Sequence, residues 1–364
     1  MRDWRTRLAA MSIPTEPIGS IPRSPELLQS IQGHAAGRIT AEELEAAYEE
    51  AVSDTVLRLE ATGSPVITDG EQIKSSFATY PLEGLTNLAP DGAVIPFKDG
   101  HTRQLPRLAR GPFRYGKFAG EYLRRAKPYA ARPMKQAVIS ASALSLLYPS
   151  DGIPGYSRDE FIHDLINESV ADIESALKAG AQTVQIDFTE GRLSLKLDPS
   201  GGLLRSFVDL NNQVLDRFTD AERARIGVHV CPGGDHDSTH SADVDYAGLL
   251  PSLFEMHAGR FYLQLASETD RLHVLRMIAG LADNEQMIFV GVIDPISPRI
   301  ETPEEVCDRV LEAASILSPE RLGTTDDCGF SPFADDTSTA REIAFAKIRA
   351  RVEGTALAAA KLAL

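Results

Sequence analysis

His229, Cys231 and Cys328 are the residues of this 364-residue chain whose types and spacing point most directly to chemistry. His229-Val230-Cys231 closes the apolar run 226–231, just before the break Pro232-Gly233-Gly234. In an extended strand, residues i and i+2 face the same side. One imidazole and one thiol therefore leave this strand together. Cys328 follows a second short run and precedes Gly329. Two soft thiolates and an imidazole are the donor set that Zn²⁺ selects. Three protein ligands rather than four leave a coordination position for a substrate. The expectation is a catalytic zinc site at which a thiol substrate is deprotonated at neutral pH and becomes a nucleophile.

Such a site needs elements that bring distant residues together. Eight apolar, strand-like runs occur, at 17–22, 65–71, 135–140, 183–187, 226–231, 261–266, 287–294 and 321–326. Helical segments follow most of them. Thr40-Ala41-Glu42-Glu43 and Ser157-Arg158-Asp159-Glu160 are capping boxes. They open amphipathic helices that end near Thr62 and at Gly180. Thr302-Pro303-Glu304-Glu305 caps another, and further helices are expected near 207–223, 247–257 and 338–362. Alternating strands and helices predict an α/β chain, a parallel (β/α)₈ TIM barrel in a single domain spanning 1–364.

In that fold the C-terminal ends of the strands form the active face. The polar residues there are Ser20, Asp69 with Glu71, Ser140, Asp187, His229 with Cys231, Gln264 to Glu268, Asp294, and Asp326 to Cys328. Residues 72–134 break the alternation. They are rich in Gly and Pro, hold Phe113, Tyr115 and Phe118, and include the basic stretch Arg124-Arg125-Ala126-Lys127. This insertion after the second strand is expected to be a lid or binding loop.

Composition limits the partners. A net charge of −15 excludes a nucleic-acid binder, which needs a basic surface. Three cysteines make no disulfide framework and point to a reducing, cytoplasmic compartment. Residues 1–14 are polar and Arg-bearing and lack the apolar segment of a signal peptide. No run of about 18 apolar residues is present, so no membrane span is expected. His236 and His240 flank Asp237 in a polar loop, expected to be solvated rather than a second metal site. Cys307 falls on a helix and is expected to pack.

The rim also offers charges for a small substrate. Glu71 and Asp187 would hold a cation such as the α-amine of an amino acid. The Gly19-Ser20 turn offers a backbone N–H and a hydroxyl to its carboxylate.

At this point the residues resemble the catalytic barrel of cobalamin-independent methionine synthase and its single-barrel relatives. That family shares its superfamily with uroporphyrinogen decarboxylase. Ile18-Gly19-Ser20-Ile21-Pro22 is similar to the family's Ile-Gly-Ser-Phe-Pro, which contacts the amino acid. Asp69-Gly70-Glu71 resembles His-Gly-Glu, and Gln185-Ile186-Asp187 resembles Gln-Ile-Asp-Glu. The resemblance gives Glu71 and Asp187 the homocysteine amine. His229-Val230-Cys231 and Asp327-Cys328-Gly329 resemble the zinc-bearing His-x-Cys and Asp-Cys-Gly. Val292-Ile293-Asp294 with Ser297-Pro298 resembles Asp-x-His-Ser-Pro, making Asp294 the expected catalytic group of that segment.

The resemblance implies a zinc-dependent methyltransferase that moves a methyl group from methylfolate or a methylcorrinoid to homocysteine. It also implies a fourth, labile zinc ligand on the sixth strand, Glu268, with Gln264 as its rival. Three departures stand out. Asp294 is followed by Pro295 and Ile296 where the family has its His. Phe188 follows Asp187 where the family has Glu. The donor set on the sixth strand is shifted. These keep a second function in view, a zinc-dependent thiol alkyltransferase of the epoxide-opening, coenzyme M transferase-like type.

Overall fold

The computed structural model describes residues 13–364. The reading of residues 1–14 therefore falls almost wholly outside the described residues. Six strands form one parallel sheet: β1 Lys135–Ile139, β2 Thr183–Asp187, β3 Ile226–Val230, β4 Arg260–Leu263, β5 Met287–Ile293 and β6 Leu322–Asp326. Each pairs with its sequence neighbours, in the order β6-β5-β4-β3-β2-β1. Nearly every residue of these strands is buried. That is the mark of a parallel sheet covered on both faces, and it explains their continuous Val/Ile/Leu runs.

Two further segments complete the ring. Thr15 makes a parallel bridge to Thr324, and Ile67 makes one to Met134. The two are joined by Ile21 N–H to Gly70 O at 3.0 Å and by Thr68 Oγ1 to Gly19 O at 2.9 Å. The fold is the expected barrel, with its first two strands reduced to single bridges.

Where ladder bonds are few, buried charges tie the seam. Glu16 accepts from Tyr262 Oη at 2.6 Å and from Arg260 Nη1 at 3.1 Å. Lys135 Nζ lies 3.8 Å from the same carboxylate and 4.0 Å above the Tyr262 ring. Arg351, on the closing helix Arg341–Lys361, donates to Thr15 Oγ1 at 3.0 Å and also pairs with Asp326. Asp326 thus serves closure rather than the rim that its position suggested.

The caps stand as read. Thr40 and Ser157 each exchange both capping-box bonds, with Glu43 and Glu160. Gly180 ends the Arg158–Ala179 helix in the left-handed conformation, as a helix C-terminus requires. One expected helix differs. The segment 207–223 is two helices, Gly202–Leu215 and Asp220–Arg223, because Thr219 and Glu222 form a fresh capping box inside it. A helix not foreseen, Glu190–Leu197, follows β2. Its stretch Arg192-Leu193-Ser194-Leu195-Lys196-Leu197 alternates polar and apolar, the period of a strand.

Residues 72–134 leave the barrel after the Ile67 bridge and return at β1. They hold the ladder of Val94–Pro96 with Thr102–Gln104, that of Leu88–Ala89 with Arg107–Leu108, and the helix Ala119–Ala126. The basic stretch is engaged by the barrel itself. Arg125 pairs with Glu45 and Glu49, and Lys127 Nζ donates to Ala179 O. Among the described residues no helix is long and apolar enough to cross a membrane.

Asp326→Ala strands the buried Arg351 guanidinium without its carboxylate. It should cost about 3–5 kcal/mol of unfolding free energy in a urea titration, whereas removal of an exposed partner such as Glu342 should cost under about 1 kcal/mol.

Candidate functional site

β3 delivers His229 to the barrel mouth, and Cys231 follows one residue past its end. Cys328 arrives from the loop after β6. The loop is held by Asp327, whose carboxylate accepts four bonds from the segment after β4. Leu265 N, Ala266 N and Ser267 N each lie at 2.8 Å, and Ser267 Oγ lies at 2.7 Å. Gly291 must be glycine for this carboxylate to fit, because a Cβ there would sit 1.9 Å from Asp327 Oδ1. So residues far apart in the chain meet. The ligand atoms of His229, Cys231 and Cys328 all lie within 4.8 Å of one another.

The two sulfurs are 3.1 Å apart, and Gly233 N–H approaches Cys231 Sγ at 3.4 Å. Neither ring nitrogen of His229 has a hydrogen-bond partner, although the residue is buried. A buried imidazole without partners is costly. Here it marks His229, Cys231 and Cys328 as a candidate metal site. The pair of thiols is polarised: the hydrogen bond from Cys231, and then His229, hold Cys328 well below its ordinary value, while Cys231 is pushed up. Two thiols and an imidazole without a hydrogen-bond partner are a donor set that fits a zinc ion.

The amino-acid side of the rim is also assembled. Ile18, Gly19, Ser20, Glu71 and Asp187 line one cavity of about 360 Å³ together with His229 and Cys328. Ser20 Oγ accepts from Ser331 N–H at 3.1 Å, and a Cβ at Gly329 would lie 2.2 Å from it. The Ser20 turn therefore packs directly on the Cys328 loop.

Glu71 has φ +55, a left-handed conformation that is strained for a residue with a Cβ. Its backbone is held by Asp69 Oδ1, which accepts its N–H at 3.0 Å, and by Arg23, which donates to its C=O at 2.7 Å. Asp187 accepts from Gln185 Nε2 at 2.7 Å. Burial lifts its carboxyl to about 6, against the pull of His229 and with a push from Glu71.

Several functional residues were not foreseen. Lys74 is buried beside Glu71, donating to Glu71 Oε1 at 3.0 Å and to Ala137 O at 2.9 Å. Burial works against its charge, but Glu71, Asp69 and Asp187 more than offset this and hold it above the ordinary lysine value. Only its place three residues after Glu71 could have flagged it. Glu190 lines the same cavity, in the unforeseen helix. The insertion supplies Ser75, Phe77, Ile95, Phe97, Arg103 and Leu105 to the cavity wall.

Two expected residues sit elsewhere. Glu268 Oε1 accepts from Arg192 Nη1 at 2.9 Å, and Gln264 Oε1 accepts from the same atom at 2.9 Å. Arg192, stacked on Tyr246, thus holds both candidates for a fourth ligand, and neither joins the three-residue cluster. Asp294 is not on the cavity wall. Its Oδ1 accepts from Ile296 N at 3.0 Å and Ser297 N at 3.4 Å, and so forms the turn after β5. With Pro295 and Ile296 next in the chain, a carboxylate that caps its own turn is the cheaper use of this Asp.

A second group of metal-ligand types, Asp235, His236 and Asp336, lies near the mouth. Its cation is already present. Arg103 of the insertion grips Asp235 through Nε at 2.5 Å and Nη2 at 3.0 Å, and Asp335 at 2.8 Å, while His101 Nε2 lies 3.0 Å from Asp235. This ion-pair cluster fastens the cover to the barrel.

The profile of the cobalamin-independent synthase catalytic domain matches residues 13–353. The chain belongs to this family. Among curated relatives, a methionine synthase of Sulfurisphaera tokodaii is 23% identical, over 94% of this chain and 91% of its own length. One of Saccharolobus islandicus is 24% identical, over 94% of each. In structure, a B12-independent methionine synthase of Shewanella in complex with selenomethionine superposes with TM-score 0.74 at 18% identity, covering 97% of this chain and 100% of its own. A putative one from Listeria monocytogenes gives 0.71 at 20%, covering 95% and 98%. These structural likenesses bear on the fold. The family's barrel is the one seen here, and the tripeptides that carry the sequence resemblance sit at its strand ends.

Metal analysis checks the two clusters against each other. The protein loaded with zinc and then desalted should hold one equivalent. His229→Ala should abolish it, and His236→Ala should leave it unchanged.

Proposed function

We propose that this protein is a zinc-dependent methyltransferase that converts homocysteine to methionine. The observation that carries the reading is the single cavity in which His229 and Cys328, with Cys231 behind them, meet Ser20, Glu71 and Asp187. Family membership and the names of the curated relatives support the same reading.

His229, Cys231 and Cys328 would hold the ion. Zinc, when bound, supplies a Lewis acid that keeps a coordinated thiol as its thiolate at neutral pH. The remaining work belongs to the chain. Glu71 and Asp187 bind the amino group of the amino acid. Lys74 takes one Glu71 oxygen and leaves the other for the ammonium. The Gly19-Ser20 turn orients the carboxylate. The insertion, clamped by Arg103, excludes water from the thiolate, which would otherwise be solvated and less nucleophilic.

The methyl donor would be methylfolate, with its methyl group on nitrogen, or a methylcorrinoid, with its methyl group on cobalt. The wall it would meet is largely apolar, formed by Ile95, Phe97, Leu105, Leu144 and Leu193, and its one arginine is already ion-paired. That wall favours a second reading, in which a thiol opens an epoxide. Turnover with an epoxide but with no methyl donor would select it.

The test is methionine formation by the zinc-loaded protein from homocysteine with each donor in turn. Glu71→Gln should raise KM for homocysteine about 10- to 100-fold, the loss of one charge-assisted bond, without changing zinc content. Unchanged KM would remove Glu71 from the amine site. Absence of methionine with both donors would sink the reading.

A separate expectation concerns the clamp. Arg103→Ala should raise KM for the methyl donor several-fold while KM for homocysteine stays within about twofold, since it loosens the cover and not the amine site. Steady-state kinetics in both substrates reads the split.

A further inference from the structure

Gln185 stands two residues before Asp187 on β2, so both side chains leave the strand on the same side. Its buried amide joins two charged groups. Oε1 accepts from Lys135 Nζ at 2.8 Å, and Nε2 donates to Asp187 Oδ1 at 2.7 Å. Lys135 is the first residue of β1. Its Cα pairs with Thr183 at the start of β2, whereas Ile139 pairs with Asp187 at the other end. Asp187 is on the cavity wall and Lys135 is not. The ammonium thus stands at the far end of the strands and reaches the rim through the amide.

The amide fits between these charges in one orientation. An ammonium has donors and no lone pair, and a carboxylate has lone pairs and no donor. Lys135 therefore holds Oε1, and Nε2 must face Asp187. Lys135 is itself placed by groups away from the cavity, with Glu16 at 3.8 Å and the Tyr262 ring at 4.0 Å. Burial lowers its ammonium to about 8 against the pull of Glu16, which leaves it a cation at neutral pH. Among the described residues, the bond from Gln185 is the one hydrogen bond to the Asp187 side chain. The terminal torsion of an aspartate is otherwise broad, so this bond sets the plane of the carboxylate.

We propose that Lys135 is a positioning residue for the amino-acid substrate: by fixing the Gln185 amide it holds Oδ1 of Asp187 and leaves Oδ2 to receive the ammonium of the substrate. Without Lys135 the amide is free to turn its oxygen toward Asp187. Two acceptors would then face each other, and the carboxylate would swing away. Lys74 treats Glu71 in the same way by direct contact, taking Oε1. Each carboxylate of the amine site thus has one oxygen held by the protein. Lys135 also belongs to the charged seam with Glu16 and Arg260. A role confined to that seam would be felt by every ligand alike. The inference rests on the proposed use of Glu71 and Asp187 as the amine site.

Calorimetric titration of the zinc-loaded full chain separates the two roles. The probes are L-homocysteine and 4-mercaptobutanoate, the same thiol acid without the amine. The wild type should bind homocysteine more tightly, and Asp187→Asn should remove most of that preference. Lys135→Met should weaken homocysteine about tenfold and leave 4-mercaptobutanoate within about twofold. Gln185→Met leaves Lys135 beside Glu16 and Tyr262. It should show the same selective loss, and it carries the test if Lys135→Met does not fold. The double variant should lose no more than either single one, because the two side chains act as one link. Equal weakening of both probes, or unchanged homocysteine binding, overturns the proposal and assigns Lys135 to the seam alone. A wild type that binds both probes equally removes the amine site itself, and the proposal with it. A preference that Asp187→Asn removes and Lys135→Met keeps counts against Lys135 only.

Discussion

Three buried soft donors with no adequate partner among themselves set the terms for everything around them. Two sulfurs at 3.1 Å and an imidazole with both nitrogens free cannot be a finished piece of core. Ordinary buried cysteines pack as small hydrophobes, as Cys307 does inside its helix. Here the barrel spends specific structure to converge them: the Asp327 carboxylate with its four bonds, the close approach at Gly291, and the contact of Gly329 with Ser20. Each tie fixes the loop after β6 against another part of the barrel mouth. The donors are thus pre-positioned, as the proposed metal site would need to be to hold an incoming thiol rather than wrap around the ion.

The same rim shows how charge is managed where water is excluded. Glu71 would be a poor neighbour for Asp187 without Lys74, whose ammonium donates to Glu71, feels the charge of Asp187 and lies over the Tyr80 ring at 4.4 Å. Asp235 would be unstable in the wall without Arg103. Gln264 and Glu268 share Arg192. Asp187, Asp327 and Glu190 have no ion pair among the described residues and are balanced by amide and hydroxyl donors. The Arg103 cluster and the Glu71–Lys74 pair each hold their own countercharge, while Asp187 couples the Glu71 rim electrostatically to His229.

Much of this was legible in the sequence because it rests on local rules. The i,i+2 spacing of His229 and Cys231 states a shared face outright, and capping boxes at Thr40 and Ser157 mark their helices. Tripeptides at strand ends located Ser20, Glu71, Asp187 and Cys328. What stayed hidden depends on tertiary contact. Glu190 was obscured by the alternating 192–197 stretch, whose strand-like period is overridden by packing into a helix. Lys74 looked like one more lysine in an irregular loop. Glu268 and Gln264 carry the right chemistry for a metal, but no local signal reveals that Arg192, seventy-odd residues away, claims both. Asp294 reads as a rim carboxylate until the backbone N–H groups of Ile296 and Ser297 are seen to consume it.

The most direct test of the central claim is the absorption spectrum of the cobalt(II)-substituted protein, with and without homocysteine. His229, Cys231 and Cys328 as the ligand set should give intense thiolate-to-cobalt charge-transfer bands, lost together in Cys328→Ser, and the bands should gain intensity as the thiol of homocysteine joins the ion. A spectrum free of thiolate bands, or one that homocysteine leaves unchanged, would contradict the account.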